Sequence, residues 1–371
     1  MKALFLVFGG FQAYNGISKK IRYQINALTK CGINVDACHY EVSEKGERLW
    51  MINGQVLVNL GKGIIAKIKK RIFFTSIIRY IQEENITFIY IRSYHNANPF
   101  TIYLVKTLKK HGIKIVLEIP TYPYDQEFIN QKFNLCIDRF YRHTFCKYID
   151  KIVTFSNDTK IFGQRTIRIS NGIDFDSIPL HNRKKTITNE LHLIGVAEIH
   201  FWHGFDRVIQ GLKNYYTNNP DYKVYFHIIG NFSGDRERIE IENPIKENKL
   251  QEYIILHGAK QDAELDTLFN QADFAIGSLG RHRSGINNIK TLKNREYAAR
   301  GFAFIYSETD DDFDHMPYIL KAPADETPID IPSLISFCKN QSMSPKDIRN
   351  SIHHLSWNEQ MKKVCKEMDL V

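Results

Sequence analysis

The stretch "NNIKTLKNREYAARGFAFIYS", residues 287–307, sets a helical pattern directly ahead of an apolar strand. Its one carboxylate, Glu296, sits among Lys290, Lys293, Arg295 and Arg300. A helix over 290–300 puts Glu296 on the second turn, too deep to act as its cap. The run "FAFIYS" is the continuous apolar kind needed by a strand buried on both faces. A helix feeding such a strand is half of a βαβ unit, and the rest of the chain repeats it.

Working outward, a first series of strands is expected at 2–8, 34–39, 87–91, 113–118, 150–154 and 166–169. A second follows at 191–197, 222–229, 253–256, 273–276, 303–306 and 317–320. Helical periods fill the gaps at 17–30, 63–83, 97–111, 127–148, 203–218, 235–248, 262–271, 290–300 and 330–340. The segment "RLWMINGQVLVNL" interrupts the first series as a hairpin turning at Asn53-Gly54. The alternation predicts an α/β fold with parallel sheets covered on both faces. Two series, each with its own first strand, predict two Rossmann-like, doubly wound domains over 1–175 and 176–355. The boundary falls in the aperiodic "DFDSIPLHNRKKTITNE", and 356–371 form a closing amphipathic helix. Ligands of such sheets bind beyond the carboxyl ends of the strands, so the expected site is a cleft between facing domains.

The chain of 371 residues carries 50 Lys/Arg against 41 Asp/Glu. The excess is confined to one half: residues 1–180 hold 26 basic and 14 acidic side chains, the remainder 24 and 27. An RNA-binding aromatic motif and a helix-turn-helix signature are both absent, which argues against nucleic acid. The opening apolar run stops at Gly9-Gly10 without a signal-peptide cleavage site, and no stretch is long enough to cross a bilayer. The six cysteines are scattered without metal-ligand spacing, as in a reducing cytosol. In "GKGIIAKIKKRIFFTSIIRYI", residues 61–81, Lys62, Lys67, Lys69, Lys70 and Arg71 accompany Ile64, Ile65, Ile68, Ile72, Phe73 and Phe74. This segment reads either as an ordinary crossover helix with a wet basic face or as a helix lying on anionic lipid.

Candidate ligand contacts cluster at strand ends. "FGGFQAYNGISKK" offers Gly9, Gly10 and Gly16, but not the spacing of a dinucleotide fingerprint. Asn171-Gly172 follows a strand, and Gly230 and Gly258 end two more. His200, His203 and Arg207 gather at a helix start, in position for a phosphate. Gly277, Gly280 and Gly285 make a pliable loop that Arg281, His282 and Arg283 make basic. With Lys290, Thr291, Leu292 and Lys293 opening the next helix, this loop favours a diphosphate. Glu296 then suits sugar hydroxyls, as acids do for ribose in other nucleotide folds. The acidic run "ETDDDFD" (308–314) reads as a solvated loop or as ligands for a divalent cation.

The ordered series "RISNGIDFD", "GVAEIHFWHGFDRVI", "FHIIG", "ILHGAKQDAEL", "ADFAIGSLG", "LKNREYAARGFAFIYS" and "LSWNEQMKKV" resembles the GT-B glycosyltransferases of family 4. The "EIPTYPYDQE" segment is similar to bacterial members that build capsule, exopolysaccharide or lipopolysaccharide. The resemblance implies a GT-B fold whose C-terminal helix returns to the N-terminal, acceptor-binding domain. It implies transfer, with retained configuration, from a nucleoside diphosphate sugar (UDP-sugar foremost) to a glycan or lipid-linked acceptor. No cofactor and no metal are implied, and the place of work is the cytoplasm, with peripheral contact at the inner face of the membrane.

Residue by residue, Glu296 matches the second acid of the family's E-x7-E motif, which binds the ribose. The first acid, toward the donor sugar, falls on Asn288. The family's phosphate-binding Arg and Lys fall on Ala197 and His203, leaving Arg207, Arg281, Arg283, Lys290 and Lys293 as substitutes. Gly10 and Gly16 match its glycine loop. Where a family histidine often stands, Glu118, Thr121 and Asp125 are offered instead. Two rival readings remain: a non-catalytic GT-B subunit serving a partner enzyme, and a GT-B epimerase or phosphorylase.

Overall fold

The computed structural model describes residues 1–11, 16–92, 97–125, 131–181 and 189–371. The chain divides into two compact units, one of Met1–Ser170 with Trp357–Val371, the other of Asn171–Ser356. The division thus precedes the aperiodic segment where the sequence placed the boundary.

In the first unit, β1 (Lys2–Val7), β2 (Asn34–Val42), β5 (Phe88–Arg92), β6 (Lys114–Ile119), β7 (Lys151–Thr154) and β9 (Gln164–Arg168) form a parallel core. An antiparallel hairpin, β3 (Arg48–Ile52) and β4 (Gln55–Asn59), extends it past β2, and β8 (Lys160–Ile161) pairs with β9. The sheet order is β4-β3-β2-β1-β5-β6-β7-β9-β8. Helices α1 (Gly16–Lys30), α2 (Gly63–Ile72), α3 (Thr75–Glu83), α4 (Pro99–Lys110) and α5 (Lys132–Cys146) connect the strands. The single helix expected over 63–83 is therefore two. Phe73 and Phe74 leave helical geometry, and Phe74 buries its ring, which lets α3 turn Ile77, Ile78 and Ile81 inward.

The second unit is an all-parallel sheet ordered β12-β11-β10-β13-β14-β15. Its strands are β10 (Glu190–Val196), β11 (Lys223–Ile229), β12 (Ile254–Leu256), β13 (Phe274–Ile276), β14 (Phe304–Tyr306) and β15 (Ile319–Lys321). The helices are α6 (Phe205–Tyr216), α7 (Asp235–Glu247), α8 (Asp262–Gln271), α9 (Leu292–Arg300), α10 (Ile331–Asn340) and α11 (Pro345–Ser351). The order reverses between β10 and β13, the point where doubly wound sheets bind ligands. Last, α12 (Trp357–Glu367) packs on α1 and buries Trp357, Met361, Val364 and Cys365 in the first unit's core.

Three histidines on adjacent strands and just beyond them form a string across the second sheet. His192 Nδ1 lies 3.0 Å from His227 Nε2, and His227 Nδ1 lies 2.9 Å from His257 Nε2. A chain of neutral imidazoles satisfies itself, each ring donating to the next, whereas added protons repel. Burial, then the neighbouring His192 and His257, lowers the His227 pKa from 6.5 to about 4. The contribution to stability is therefore complete above about pH 6.5 and is lost as pH falls toward 4. In His227→Gln, which keeps a donor and an acceptor but does not titrate, the urea midpoint should vary less across that window than in the parent chain.

Candidate functional site

The site is assembled at the carboxyl ends of β10, β13 and β14, under the first turn of α9. Tyr297 holds α9 there. Its hydroxyl accepts from Val196 N–H (3.1 Å) and donates to Ile276 C=O (3.1 Å), bridging the two strands at the reversal point. Gly277 permits the approach, since a Cβ there would stand 3.2 Å from Asn294 Oδ1 and 2.8 Å from Ile305 O. Thr291 caps the helix, accepting from Asn294 N–H, and Leu292 begins it. The loops after β10 and β13 pack backbone to backbone. Leu279 N–H donates to His203 O at 2.9 Å, and Gly204, at φ 65°, leaves no room for a Cβ against Leu279 and Gly280.

Three sequence candidates converge there. Lys293 is half-buried overall, but its Nζ is sealed from solvent and makes no hydrogen bond among the described residues, 5.4 Å from the Phe205 ring. Burial, then the Arg281 charge, pulls its pKa from 10.5 down to about 7. His203 is 7% exposed and accepts from His200 N–H at Nδ1 (3.0 Å). Burial, followed by the Lys293 and Arg281 charges, holds it well below the usual histidine range, so the ring is neutral. Arg281 completes the trio, its guanidinium 5.6 Å from the Trp202 ring.

Facing these cations is a residue that sequence reasoning passed over. Glu308 is 1% exposed, and its Oε2 has no hydrogen-bond partner among the described residues. Burial pushes its pKa up to about 7, against the opposing pull of Arg281 and Lys293. It does not close to an ion pair with Lys293. Asn294 Nδ2 donates to its Oε1 at 3.5 Å, while Asn294 Oδ1 and Ser278 Oγ are buried without partners among the described residues. Enclosed polar groups left unpaired in this way cost about 1–3 kcal/mol each, which singles out this cluster as a place for a polar ligand. A phosphate oxygen is the acceptor that Lys293 lacks, and a protonated Glu308 is a donor for another.

Other candidates are committed to the scaffold. Arg207, expected to meet a phosphate, is 2% exposed and donates through Nε to Thr327 O (2.8 Å) and through Nη1 to Leu279 O and Pro323 O. Arg283 grips Asp206 with both Nη atoms (2.9 and 2.7 Å) and also holds Glu326 and the Phe201 carbonyl. Gly230, expected to admit a ligand, instead admits backbone. At φ 135° its Cβ would fall 1.6 Å from Ala197 O. Lys290 Nζ lies 3.5 Å from Asp312, and its carbonyl accepts from Asn171 Nδ2. Asn171 is thus a strut beneath α9. Asn288 is exposed and bridges in parallel register to Thr309.

Three other acids of the run, Asp310, Asp312 and Asp314, are spent on ion pairs. Arg295, fully buried, takes Asp310 with both Nη atoms (2.6 and 3.0 Å), reaches Asp312, and donates to Asn171 O and Thr291 O. Asp314 accepts from Tyr306 and Lys321. Glu296 is not solitary either: Arg300 donates to its Oε1 at 3.0 Å and reaches Asp266 with Nη1. Oε2 of Glu296 remains for another donor.

In the first unit, Gly10 follows β1 and Gly16 opens α1, while residues 12–15 of that loop lie outside the described residues. Glu118 is a sealed structural node. It accepts from Gln24, Tyr90 and Arg92 at 2.6 Å each, with Lys20 at 3.4 Å. Burial raises its pKa, but the Lys20 and Arg92 charges outweigh that and keep it ionised. Asp125 pairs with Arg139 and Arg142.

Solved structures of the same architecture exist at low identity. Sucrose-phosphate synthase (tll1590) from Thermosynechococcus elongatus superposes with a TM-score of 0.68 at 13% identity, covering 99% of this chain and 98% of that one. Anabaena Alr3699/HepE in complex with UDP gives 0.64 at 12%, with both chains fully covered. Trehalose-6-phosphate synthase OtsA gives 0.63 at 12%, covering 100% and 99%. The fold is GT-B. No family model and no curated protein matches the sequence.

Removing the Arg295 guanidinium would take a two-pronged cation from the fully buried Asp310. Arg295→Leu is expected to lower unfolding stability by about 3–5 kcal/mol, measured by urea denaturation. A loss under 1 kcal/mol would show that the Asp310 charge has other partners.

Proposed function

We propose that the protein is a retaining glycosyltransferase that takes its sugar from a nucleoside diphosphate donor, foremost a UDP-sugar. The observation that carries this reading is the cluster of Lys293, Arg281 and Glu308 at the strand-order reversal of the second unit. In the donor complex, the diphosphate accepts from Lys293, Arg281 and the free amides opening α9. As the sugar–phosphate bond breaks, charge grows on the leaving diphosphate. Cations already fixed in a dry site stabilise that charge without reorganisation. Glu296, with Oε2 uncommitted, accepts the ribose hydroxyls, and Asn288 meets the donor sugar. The acceptor is a glycan or lipid-linked intermediate of surface-polysaccharide synthesis. The enzyme works in the cytoplasm, in peripheral contact with the inner face of the membrane through residues 61–81.

A second reading, a non-catalytic GT-B subunit, draws on Ala197, His203 and Asn288 and on the commitment of Arg207 and Arg283 to scaffold contacts. Titration calorimetry with UDP, followed by assay of UDP-sugar turnover, separates the two. UDP binding without hydrolysis or transfer of any UDP-sugar would favour the subunit.

Lys293→Met should weaken UDP binding about 10–100-fold, the equivalent of one charged hydrogen bond of about 1.5–3 kcal/mol. Unchanged affinity would show that UDP does not meet this cluster. Glu296→Ala should raise the Kd for UDP about tenfold while leaving binding of inorganic pyrophosphate unaltered. The pH dependence has a definite sign. Above pH 7 the free site loses the Lys293 proton and gains a Glu308 charge, so UDP affinity should fall as pH rises from 7 to 8.5. That slope should flatten in Lys293→Met.

A further inference from the structure

Helix α2 is turned inside out. Its buried residue is Ala66, and Lys70 lays its Nζ 3.9 Å from the centre of the Tyr40 ring, where burial and the Arg71 charge lower its pKa to about 8. Its isoleucines point outward instead: Ile64 is 76% exposed, Ile65 69%, Ile68 52% and Ile72 38%, with Phe73 following at 41%. Folding gains nothing from such an arrangement, because apolar area kept in water contributes no burial energy. Neighbouring helices continue it. α2 packs on α4 and α4 on α5, and Arg71 of α2 donates to Asn134 at the start of α5. On α4, Phe100 and Tyr103 are exposed. On α5, Phe133 and Phe140, two turns apart on one face, are 78% and 76% exposed.

The charge on these helices has one sign. Across α2, α4 and α5 the single acid is Asp138, which is buried and accepts from Tyr124 OH and Ala97 N–H. Lys62, Lys67, Lys69, Arg71, Lys106, Lys132 and Arg139 are all exposed, Arg139 pairing with Asp125 at its rim. A patch that combines exposed isoleucine and phenylalanine with an excess of cations matches the interface of an anionic bilayer. Apolar side chains enter the acyl boundary, and lysines meet phosphate headgroups. A protein partner would have to match both features over three helices, whereas lipid matches them without specific shape.

We infer that α2, α4 and α5 together form a docking face by which the first unit binds an anionic lipid surface. The contact is broader than residues 61–81, and it excludes α3, whose isoleucines are buried. This deepens the membrane contact of the proposed function, but the patch itself is independent of the donor site.

The test is co-sedimentation of the full chain with vesicles. The parent chain should bind vesicles of phosphatidylcholine with phosphatidylglycerol and bind pure phosphatidylcholine weakly, the difference shrinking as salt is raised. Ile68→Glu combined with Phe140→Glu changes exposed positions on two helices and should reduce binding about tenfold or more. UDP affinity of the same variant should stay at the parent value, which also shows that it is folded. Equal vesicle binding by parent and variant would overturn the inference. So would a lipid-free dimer that the same substitutions dissociate, since the face would then belong to a second copy. A chain that binds vesicles but not UDP would leave the docking face standing and sink the donor reading.

Discussion

A single phenol hydroxyl fixes where α9 begins. By accepting from Val196 and donating to Ile276, Tyr297 ties one helix to two strands at the point where the sheet order reverses. Both partners are main-chain groups that the ladder leaves unused at the strand ends, so the contact satisfies what would otherwise be buried orphans. Lys293 sits four residues earlier on α9, one turn toward its start, and is carried over the sheet by that anchor. Arg295 secures the other side through Asp310, Asp312 and the Asn171 carbonyl. The cluster of unpaired polar groups and the helix amides beside it depend on these two attachments.

Much of the architecture was legible because parallel strands covered on both faces announce themselves as unbroken apolar runs. β10, β11, β13 and β14 fall within a residue of the expected positions for that reason. The split of 63–83 was not legible, because both pieces carry isoleucine at helical spacing. Only burial distinguishes Ile77 and Ile81, turned inward, from Ile64 and Ile68, turned outward.

The site was read in type but not in detail. The sequence shows a basic loop ahead of a helix; it does not show which cations are already spoken for. Arg283 is spent on carboxylates and a carbonyl distant in sequence and Arg207 on three carbonyls, with only its Nη2 unbonded, whereas Lys293 Nζ meets no acceptor at all among the described residues. Glu308 was concealed by its neighbours. Within "ETDDDFD" it resembles one more acid of a wet loop, yet it is the first polar side chain but one after a buried strand and stays inside. The histidine string depends on strand register, which places His192, His227 and His257 side by side although about thirty residues separate each from the next.

The returning helix bears on the order in which the units are made. Lys114 and Lys151 hold the carbonyls of residues 367–369, and Trp357, Met361 and Val364 fill space beside Phe5, Phe88 and Tyr90. These contacts join segments more than two hundred residues apart. The second unit is continuous and has every one of its strands in hand once residue 356 is synthesised. The first unit, although translated earlier, must wait with an uncovered apolar surface until α12 emerges. The nascent first unit therefore carries an open apolar face throughout synthesis of the second, which is when a chaperone would have most to cover.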